Sequence, residues 1–355
     1  MTLLGLAIAP IANILTHRDQ PARDWFDRKF LFNLDFVVSW ASDIAYRAGI
    51  SINPSQVVIG YDGWLYLGDM YAQTRTIARE GATPASRAAD AKIGESLLRW
   101  ERWLRGQGVT AFRVMLSPNK ETIYPEFLPR WAAPATPSRA DGLLDGPARA
   151  IYIDLRPTLL AAKRTQPYPL FYRTDTHWNA LGGWFAYLRL CDELKKIDPT
   201  LHAFGAADLV DIRAQPRNGV DLSRFLYLQN ELKDTEIVLS IPSLAASPSE
   251  TREIRRNETF SLNGESMVAP FDLTIATTAH PLNQKRLLWL ADSFGGALIP
   301  VMLPTFAQTI RIHHHAAFRH PENLLPIVRA FKPDYVVVTT VEREAWGVNF
   351  LNTPP

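Results

Sequence analysis

The pattern of apolar and polar positions predicts alternating strands and helices in the first part of the chain. Two short strands joined by an Asp-Gly turn are predicted in VVIGYDGWLYLG, residues 57–68, because Asp-Gly between apolar runs is typical of a hairpin. Apolar residues at helical spacing predict helices over about 86–105 and 179–195. Continuous apolar runs predict strands at 110–117 and 150–155.

The same alternation resumes after a polar stretch at about 206–283, which we interpret as a partly β insertion. Three strands and two helices are predicted after this stretch: strands at 286–290, 308–313 and 334–341, and helices at 294–302 and 321–331. Buried strands that alternate with helices are typical of a mostly parallel sheet covered on both faces. In such folds the active site lies beyond the carboxyl ends of the strands.

Composition excludes some classes of protein. The chain has 355 residues and 47% hydrophobic content, enough for a packed core. Because 38 basic side chains are balanced by 36 acidic ones, the net charge of +2 lacks the basic footprint of nucleic-acid binders. The only cysteine, Cys191, excludes an intrachain disulfide and a CxxC metal knuckle.

The N-terminus carries an apolar run from Leu3 to Leu15 that Pro10 and Asn13 interrupt. It is shorter than the about 20 residues that cross a bilayer, and it lacks the basic start and cleavage site of a secretory signal. We interpret residues 1–55 as a helical segment or the remnant of a membrane anchor. Residues 56–347 are predicted to form the domain and 348–355 a tail.

RLLWLADSFGG, residues 286–296, runs from a predicted strand directly into Ser293. ADSFG resembles the nucleophile elbow GxSxG, with Ala291 in place of the first glycine. The α/β-hydrolase order requires an acid and then a histidine after the serine, yet no Asp or Glu lies between Ser293 and the last histidine, His320. That fold is therefore excluded, and Ser293 is either a nucleophile of another kind or a helix N-cap.

A candidate base lies upstream in FYRTDTHWNALGG, where Asp175 precedes His177 by two residues. In an extended segment such residues point to the same side, so Asp175 can hold one imidazole nitrogen while the other faces a serine. Asp292 is the poorer orienting acid, because it neighbours Ser293 and should point away from the histidine.

Five motifs occur in order between residues 57 and 344: GYDGWLYLG, SPNKETIYPEFLP, DTHW, ADSF and KPDYVVVTTVERE. Together they resemble the SGNH-hydrolase-like domain of the alginate O-acetyltransferase family that includes AlgJ and AlgX. The resemblance implies a flavodoxin-like three-layer α/β/α domain with Ser293, His177 and Asp175 as catalytic residues. Ala291 replaces the family's glycine but keeps a small side chain. The chain ends soon after the last predicted strand, so the single-domain members are the better match.

The resemblance also implies a function. Ser293 would form an acyl-enzyme with His177 as base, and a hydroxyl of an exported polysaccharide would accept the acetyl group without a cofactor. The expected partners are the exopolysaccharide and a membrane-bound O-acyltransferase that supplies acetyl groups. The expected location is the periplasm, with inner-membrane anchoring left open. A carbohydrate esterase or deacetylase, and a non-catalytic polysaccharide-binding or assembly protein, remain alternatives.

Further candidate residues surround this core of the site. The oxyanion is expected at the Ser293 backbone N–H and at the side chain of Asn119, which is alternatively a turn residue. Lys120 is expected to steer an anionic glycan, unless it is a solvated loop lysine. Trp178 is either a sugar platform or packing for His177. His313 and His315 are expected to share a strand face, which suggests a metal site. Because no carboxylate is near and the run stands at a strand end, no metal is predicted there and a surface or glycan-facing role is expected.

Overall fold

The computed structural model describes residues 9–11, 13–15, 31–32 and 35–355. The strands in these ranges are β1 (Val57–Ile59), β2 (Leu65–Leu67), β3 (Ala111–Ser117), β4 (Tyr152–Asp154), β5 (Asp211–Asn218), β6 (Lys233–Ser240), β7 (Ser249–Ile254), β8 (Thr259–Leu262), β9 (Glu265–Val268), β10 (Leu273–Thr278), β11 (Asn283–Ala291), β12 (Phe306–Ile312) and β13 (Tyr335–Val341).

The α-helices are α1 (Asp35–Arg47), α2 (Thr74–Glu80), α3 (Pro84–Gly106), α4 (Lys120–Ile123), α5 (Arg139–Leu144), α6 (Arg156–Thr165), α7 (Ala180–Lys195), α8 (Asp221–Phe225), α9 (Ile299–Thr305), α10 (His314–Arg319) and α11 (Leu324–Phe331). Short 3-10 helices span Pro125–Phe127, Arg130–Ala132, Ala206–Asp208, Pro242–Ala246, Ser293–Leu298, Pro321–Asn323, Glu342–Glu344 and Val348–Leu351.

A central sheet of seven strands, in the order β4-β3-β13-β11-β12-β10-β7, forms the core. The first five strands are parallel, whereas β10 pairs antiparallel with both β12 and β7. Along β11, Leu287 and Trp289 face one buried cluster and Leu288 and Leu290 face another. This alternation shows that both faces of the sheet are covered, as predicted.

Helices cover the sheet on two sides. Residues of α6 and α7 pack into the cluster on one face, and residues of α3, α10 and α11 pack into the cluster on the other. The fold therefore has the predicted three-layer α/β/α arrangement. Within the polar stretch 206–283, β7 and β10 extend the central sheet, while β5 pairs with β6 and β8 with β9 in separate hairpins.

Three predicted elements differ in detail from the structure. The predicted helix at 294–302 starts as a 3-10 helix, and α9 begins only at Ile299, next to Pro300. Proline has no N–H to donate, so it fits the first turn of a new helix rather than the interior of a continuous one. The predicted helix at 321–331 likewise begins as a 3-10 turn. β12 ends at Ile312, so the histidine run lies outside the strand.

The structure describes the two ends of the chain to different extents. The predicted apolar run at residues 3–15 lies largely outside the described residues. Among the helices of the described ranges, none is long and apolar enough to cross a membrane. At the other end Phe350 is buried, and the carbonyl of Asn352 accepts hydrogen bonds from Ser96 and Trp100 of α3.

Candidate active site

Three neighbouring parallel strands bring the candidate residues to one edge of the sheet. Asn119 and Lys120 follow β3, residues 342–344 follow β13, and Ser293 follows β11. These strands are adjacent in the order β3-β13-β11. Their carboxyl ends therefore meet at the edge where ligands bind in open α/β sheets.

Ser293, His177 and Asp175 form a continuous chain of hydrogen bonds. The Ser293 Oγ lies 2.8 Å from His177 Nε2, although the two residues are 116 positions apart. His177 Nδ1 lies 2.6 Å from Asp175 Oδ1, which also accepts the His177 backbone N–H. When the Nδ1–H of His177 donates a hydrogen bond to the carboxylate, the imidazole presents the lone pair of Nε2 to the serine hydroxyl.

The charge of Asp175 is maintained by its partner. Burial alone raises the pKa of this carboxyl, but the hydrogen bond and charge of His177 outweigh burial, and the pKa lies below its usual range. Asp175 is therefore ionised over the neutral pH range, where it can orient His177 and stabilise the imidazolium that forms on proton transfer.

The turn that carries Ser293 is built by its neighbours. Asp292 caps the 3-10 helix through Phe294 N–H and accepts the Val341 N–H at 2.6 Å, so it points away from His177 as predicted. Burial raises its pKa to about 6. A Cβ at Gly295 would lie 2.9 Å from the Cβ of Ala291, so this tight turn requires glycine next to a small residue.

The loop with His177 is anchored to the serine turn through Trp178. The indole Nε1 donates to the Phe294 carbonyl at 2.9 Å, and the side chain is only 1% exposed. Trp178 therefore cannot stack on a sugar, and its interpretation as packing beside His177 is the correct one. A Cβ at Gly183 of α7 would lie 2.9 Å from the Ala297 carbonyl oxygen, so glycine permits this helix to approach the serine turn.

Lys120 has a different role from the one predicted. Its Nζ donates to the carbonyl oxygens of Tyr172, Arg173 and Asp175, at 3.1, 3.0 and 2.7 Å. Burial lowers the pKa of this amine to about 8, against the opposing charges of nearby aspartates. Both predictions for Lys120, a glycan-steering lysine and a solvated loop lysine, are wrong, because the ammonium is buried beneath the Asp175 loop.

Asn119 is not among the residues that line the pocket at Ser293. Its side-chain Oδ1 accepts a hydrogen bond from Arg343 at 2.9 Å, and its backbone N–H donates to Glu342. Arg343 itself lines the same pocket as Ser293 and lies over the Phe294 ring, 5.4 Å from its centroid. The contacts thus place a guanidinium in the pocket, with Asn119 as its support.

A second carboxylate, Asp221 of α8, lies near the histidine. Its Oδ2 is 3.9 Å from His177 Nδ1 and accepts the hydroxyl of Thr176 at 2.6 Å. Burial and the charge of Asp175 raise its pKa. No sequence signal pointed to this residue, because it lies in the polar stretch far from the DTHW motif.

Ser293 opens into a pocket of about 330 Å³. Tyr71 and Phe225 line it and stack on each other, with ring centroids 5.6 Å apart, and Tyr71 is 38% exposed. Aromatic faces of this kind present apolar surface to a ligand. No sequence pattern pointed to either residue.

The fold is that of an SGNH hydrolase-like domain of the α/β class. The chain belongs to the family described as the SGNH hydrolase-like domain of the acetyltransferase AlgX, whose profile matches residues 57–259. The predicted family is confirmed, and it is a family of acetyltransferases. The matched range includes Asp175 and His177 and ends before Ser293.

Several solved structures are similar to this chain. A DHHW family protein from Eubacterium siraeum is 15% identical, with a TM-score of 0.54 over 86% of this chain and 97% of that one. Bacillus cereus PatB1 with a sulfonyl adduct is 15% identical, with a TM-score of 0.58 over 84% and 99%. The O-acetyltransferase domain of Pseudomonas putida AlgJ is 21% identical, with a TM-score of 0.47 over 82% and 92%. A search of curated protein sequences finds no match.

Proposed function

We propose that this chain is an O-acetyltransferase that moves acetyl groups onto hydroxyls of an exported polysaccharide through Ser293, His177 and Asp175. The observation that carries the proposal is the unbroken contact from Asp175 through His177 to the Ser293 hydroxyl, with 2.6 and 2.8 Å between the bonded atoms. Membership of an acetyltransferase family supports the acetyl group as the transferred unit.

The reaction follows from these contacts. His177 removes the hydroxyl proton of Ser293 while the oxygen attacks the acetyl carbonyl of a donor, and the imidazolium then protonates the leaving group. The resulting acetyl-serine is attacked by a sugar hydroxyl, whose proton passes to His177. Collapse of this second intermediate releases the acetylated sugar, and His177 returns its proton to Ser293.

Two donors are available for the negative oxygen of each intermediate. The Ser293 N–H is at the first turn of its 3-10 helix, where amides have no intrahelical acceptor. The Phe294 N–H is already bonded to Asp292. Arg343 in the same pocket is the second donor in this proposal, with Asn119 holding its guanidinium.

The open pocket supports a large acceptor rather than a small enclosed one. Tyr71 and Phe225 at its wall offer stacking faces for sugar rings. By its family resemblance the protein works in the periplasm, where a membrane-bound O-acyltransferase supplies the acetyl groups. Cell fractionation of the producing organism tests that location, and recovery in the cytoplasmic fraction would contradict it.

Burst kinetics with p-nitrophenyl acetate test the acyl-enzyme. We expect one equivalent of nitrophenol per chain, followed by slow turnover, and a loss of about 10⁴-fold or more in Ser293→Ala and His177→Ala. Ser261→Ala is the matched control, because this serine is exposed in the β8-β9 hairpin. A burst that persists in both variants would show that the assigned nucleophile and base are wrong. Absence of any burst in the parent chain would favour a binding or assembly protein.

The competition between acceptors separates a transferase from an esterase. The acetyl-enzyme is mixed with an oligosaccharide, and mass spectrometry measures acetylated sugar against free acetate. A transferase yields acetylated sugar at a concentration of acceptor far below that of water. Production of acetate alone, unchanged by the oligosaccharide, would favour the carbohydrate esterase.

A further inference from the structure

The histidine run after β12 meets a carboxylate from the turn after β13, a strand that β11 separates from β12 in the sheet. His313 caps α10 by accepting the His315 N–H, which puts His314 and His315 in the first turn of that helix. Glu344 ends the 3-10 turn after β13. Its Oε2 lies 3.7 Å from His314 Nε2 and 3.2 Å from His315 Nε2. The expectation that no carboxylate lies near this run was wrong. Glu344 follows β13, which is separated from the histidines along the chain, so its approach depends on the fold.

These three side chains have the spacing of metal ligands. One donor atom from each lies within 4.8 Å of the other two. Donors bound at about 2.0–2.2 Å around a tetrahedral ion lie roughly 3.3 Å apart. The two measured separations from the Glu344 oxygen bracket this value, so a small ion fits between the ligands with only minor side-chain adjustment.

An independent observation points to a missing ligand. His314 is 0% exposed, yet neither of its ring nitrogens makes a hydrogen bond within the described part of the chain. The Glu344 Oε2 is also buried without a hydrogen bond in those residues. Buried polar atoms are almost always partnered. An ion pair between Glu344 and a protonated His315 would leave both nitrogens of His314 unused, whereas a metal ion would bind one of them.

We propose that His314, His315 and Glu344 bind a divalent transition-metal ion, Zn²⁺ by ligand chemistry. Two imidazoles and one carboxylate suit Zn²⁺ and leave a fourth position for water. The ion can enter from solvent, since His315 and Glu344 have side chains that are 35% and 30% exposed. His315 also lines a cavity of about 520 Å³, and Glu344 lines the pocket of Ser293. The bound ion would thus fix one wall of that pocket without joining the proton transfer.

Metal binding is tested on the full chain, with any affinity tag removed and endogenous ions stripped with a chelator. Titration calorimetry with Zn²⁺ measures stoichiometry and affinity, and Co²⁺ absorbance reports tetrahedral nitrogen and oxygen ligation. The variants His315→Ala and Glu344→Gln remove the two partly exposed ligands, so the core remains intact. His320→Ala is the matched control, because this exposed histidine lines the same cavity as His315 and lies outside the ligand cluster.

We expect one Zn²⁺ per parent chain, binding at least about tenfold weaker in each ligand variant, and unchanged binding in His320→Ala. Zn²⁺ should raise the melting temperature of the parent chain and of the control but not of the ligand variants. The proposal is overturned if the parent chain binds no stoichiometric ion, or if binding is equal in all four proteins. It is also overturned if His320→Ala loses as much affinity as the ligand variants. Each result is independent of the acetyl-transfer assays.

Discussion

Replacement of Lys120 by methionine tests whether a buried ammonium supports the loop that carries Asp175 and His177. Methionine keeps the length of the side chain and removes the charge and the three hydrogen bonds. The Arg173 carbonyl retains its bond from the Leu65 N–H, but the carbonyls of Tyr172 and Asp175 lose the Lys120 donor. Each buried acceptor left unsatisfied costs about 1–3 kcal/mol, so we expect a loss of about 3 kcal/mol in unfolding free energy at pH 7.

The pH dependence of this loss has a defined sign. The pKa of Lys120 falls from its ordinary 10.5 to about 8 in the folded chain. Between these two values the unfolded chain holds the extra proton, so the stability of the parent chain rises with pH relative to the methionine variant. The same contribution is lost as pH falls through about 8. The full difference corresponds to about 3 kcal/mol, of which about 2 kcal/mol is present at pH 9.5.

Urea unfolding of the parent chain and of Lys120→Met at pH 7 and pH 9.5 measures both effects. The difference between the two proteins should grow by about 2 kcal/mol at the higher pH, while tyrosines that titrate in alkali cancel in the comparison. Lys196→Met is the control, because that lysine is 63% exposed and should change stability by less than about 0.5 kcal/mol at either pH. An equal difference at both pH values would refute the interpretation of Lys120 as a desolvated cation.

Three other substitutions test the contacts around Ser293. Gly183→Ala places a Cβ 2.9 Å from the Ala297 carbonyl oxygen and should lower the unfolding free energy in urea by about 1–3 kcal/mol. Gly296→Ala is the control, because a Cβ there meets nothing within 4 Å and should cost less than about 0.5 kcal/mol. Equal losses in the two variants would contradict the close contact at Gly183. Trp178→Phe removes one buried hydrogen bond and should lower both stability, by about 1–2 kcal/mol, and the rate of acetyl-enzyme formation, so a full rate would show that the contact does not position the base. Arg343→Met should lower kcat by about 10²-fold with little change in KM if the guanidinium stabilises the oxyanion, and a change in KM alone would assign it to substrate binding.

Much of the fold could be predicted because the signals are local. The strands β3, β11 and β13 contain runs of mostly apolar residues, and α3 and α7 have apolar residues at helical spacing. The contact of Asp175 with His177 could be predicted equally well, because residues two positions apart in an extended segment point to the same side. The position of Ser293 followed from its place directly after a buried strand.

The surroundings of the site could not be predicted, because they depend on residues far apart in the chain. Lys120 donates hydrogen bonds to backbone carbonyls 52 to 55 positions away. No feature of the motif SPNKETIYPEFLP shows that a distant loop will bury this lysine. Asp221 reaches the Thr176 hydroxyl from 45 positions away. A polar side chain in a loop has the same sequence pattern whether solvent or a folded segment surrounds it, so burial at these positions is a tertiary property.

The distance between Ser293 and His177 is set by packing beyond the two residues themselves. Trp178 joins the histidine loop to the serine turn by one hydrogen bond, and Gly183 allows α7 to pack against the same turn. Both residues belong to the continuous segment that also contains Asp175 and His177. Under the proposed mechanism, a change at Ser293 is therefore expected to remove the nucleophile and to leave this packing in place, whereas a change at Trp178 or Gly183 is expected to shift His177 relative to Ser293. The indole donor of Trp178 and the absent side chain of Gly183 are therefore predicted to affect the proposed reaction through the position of His177 and not through chemistry of their own.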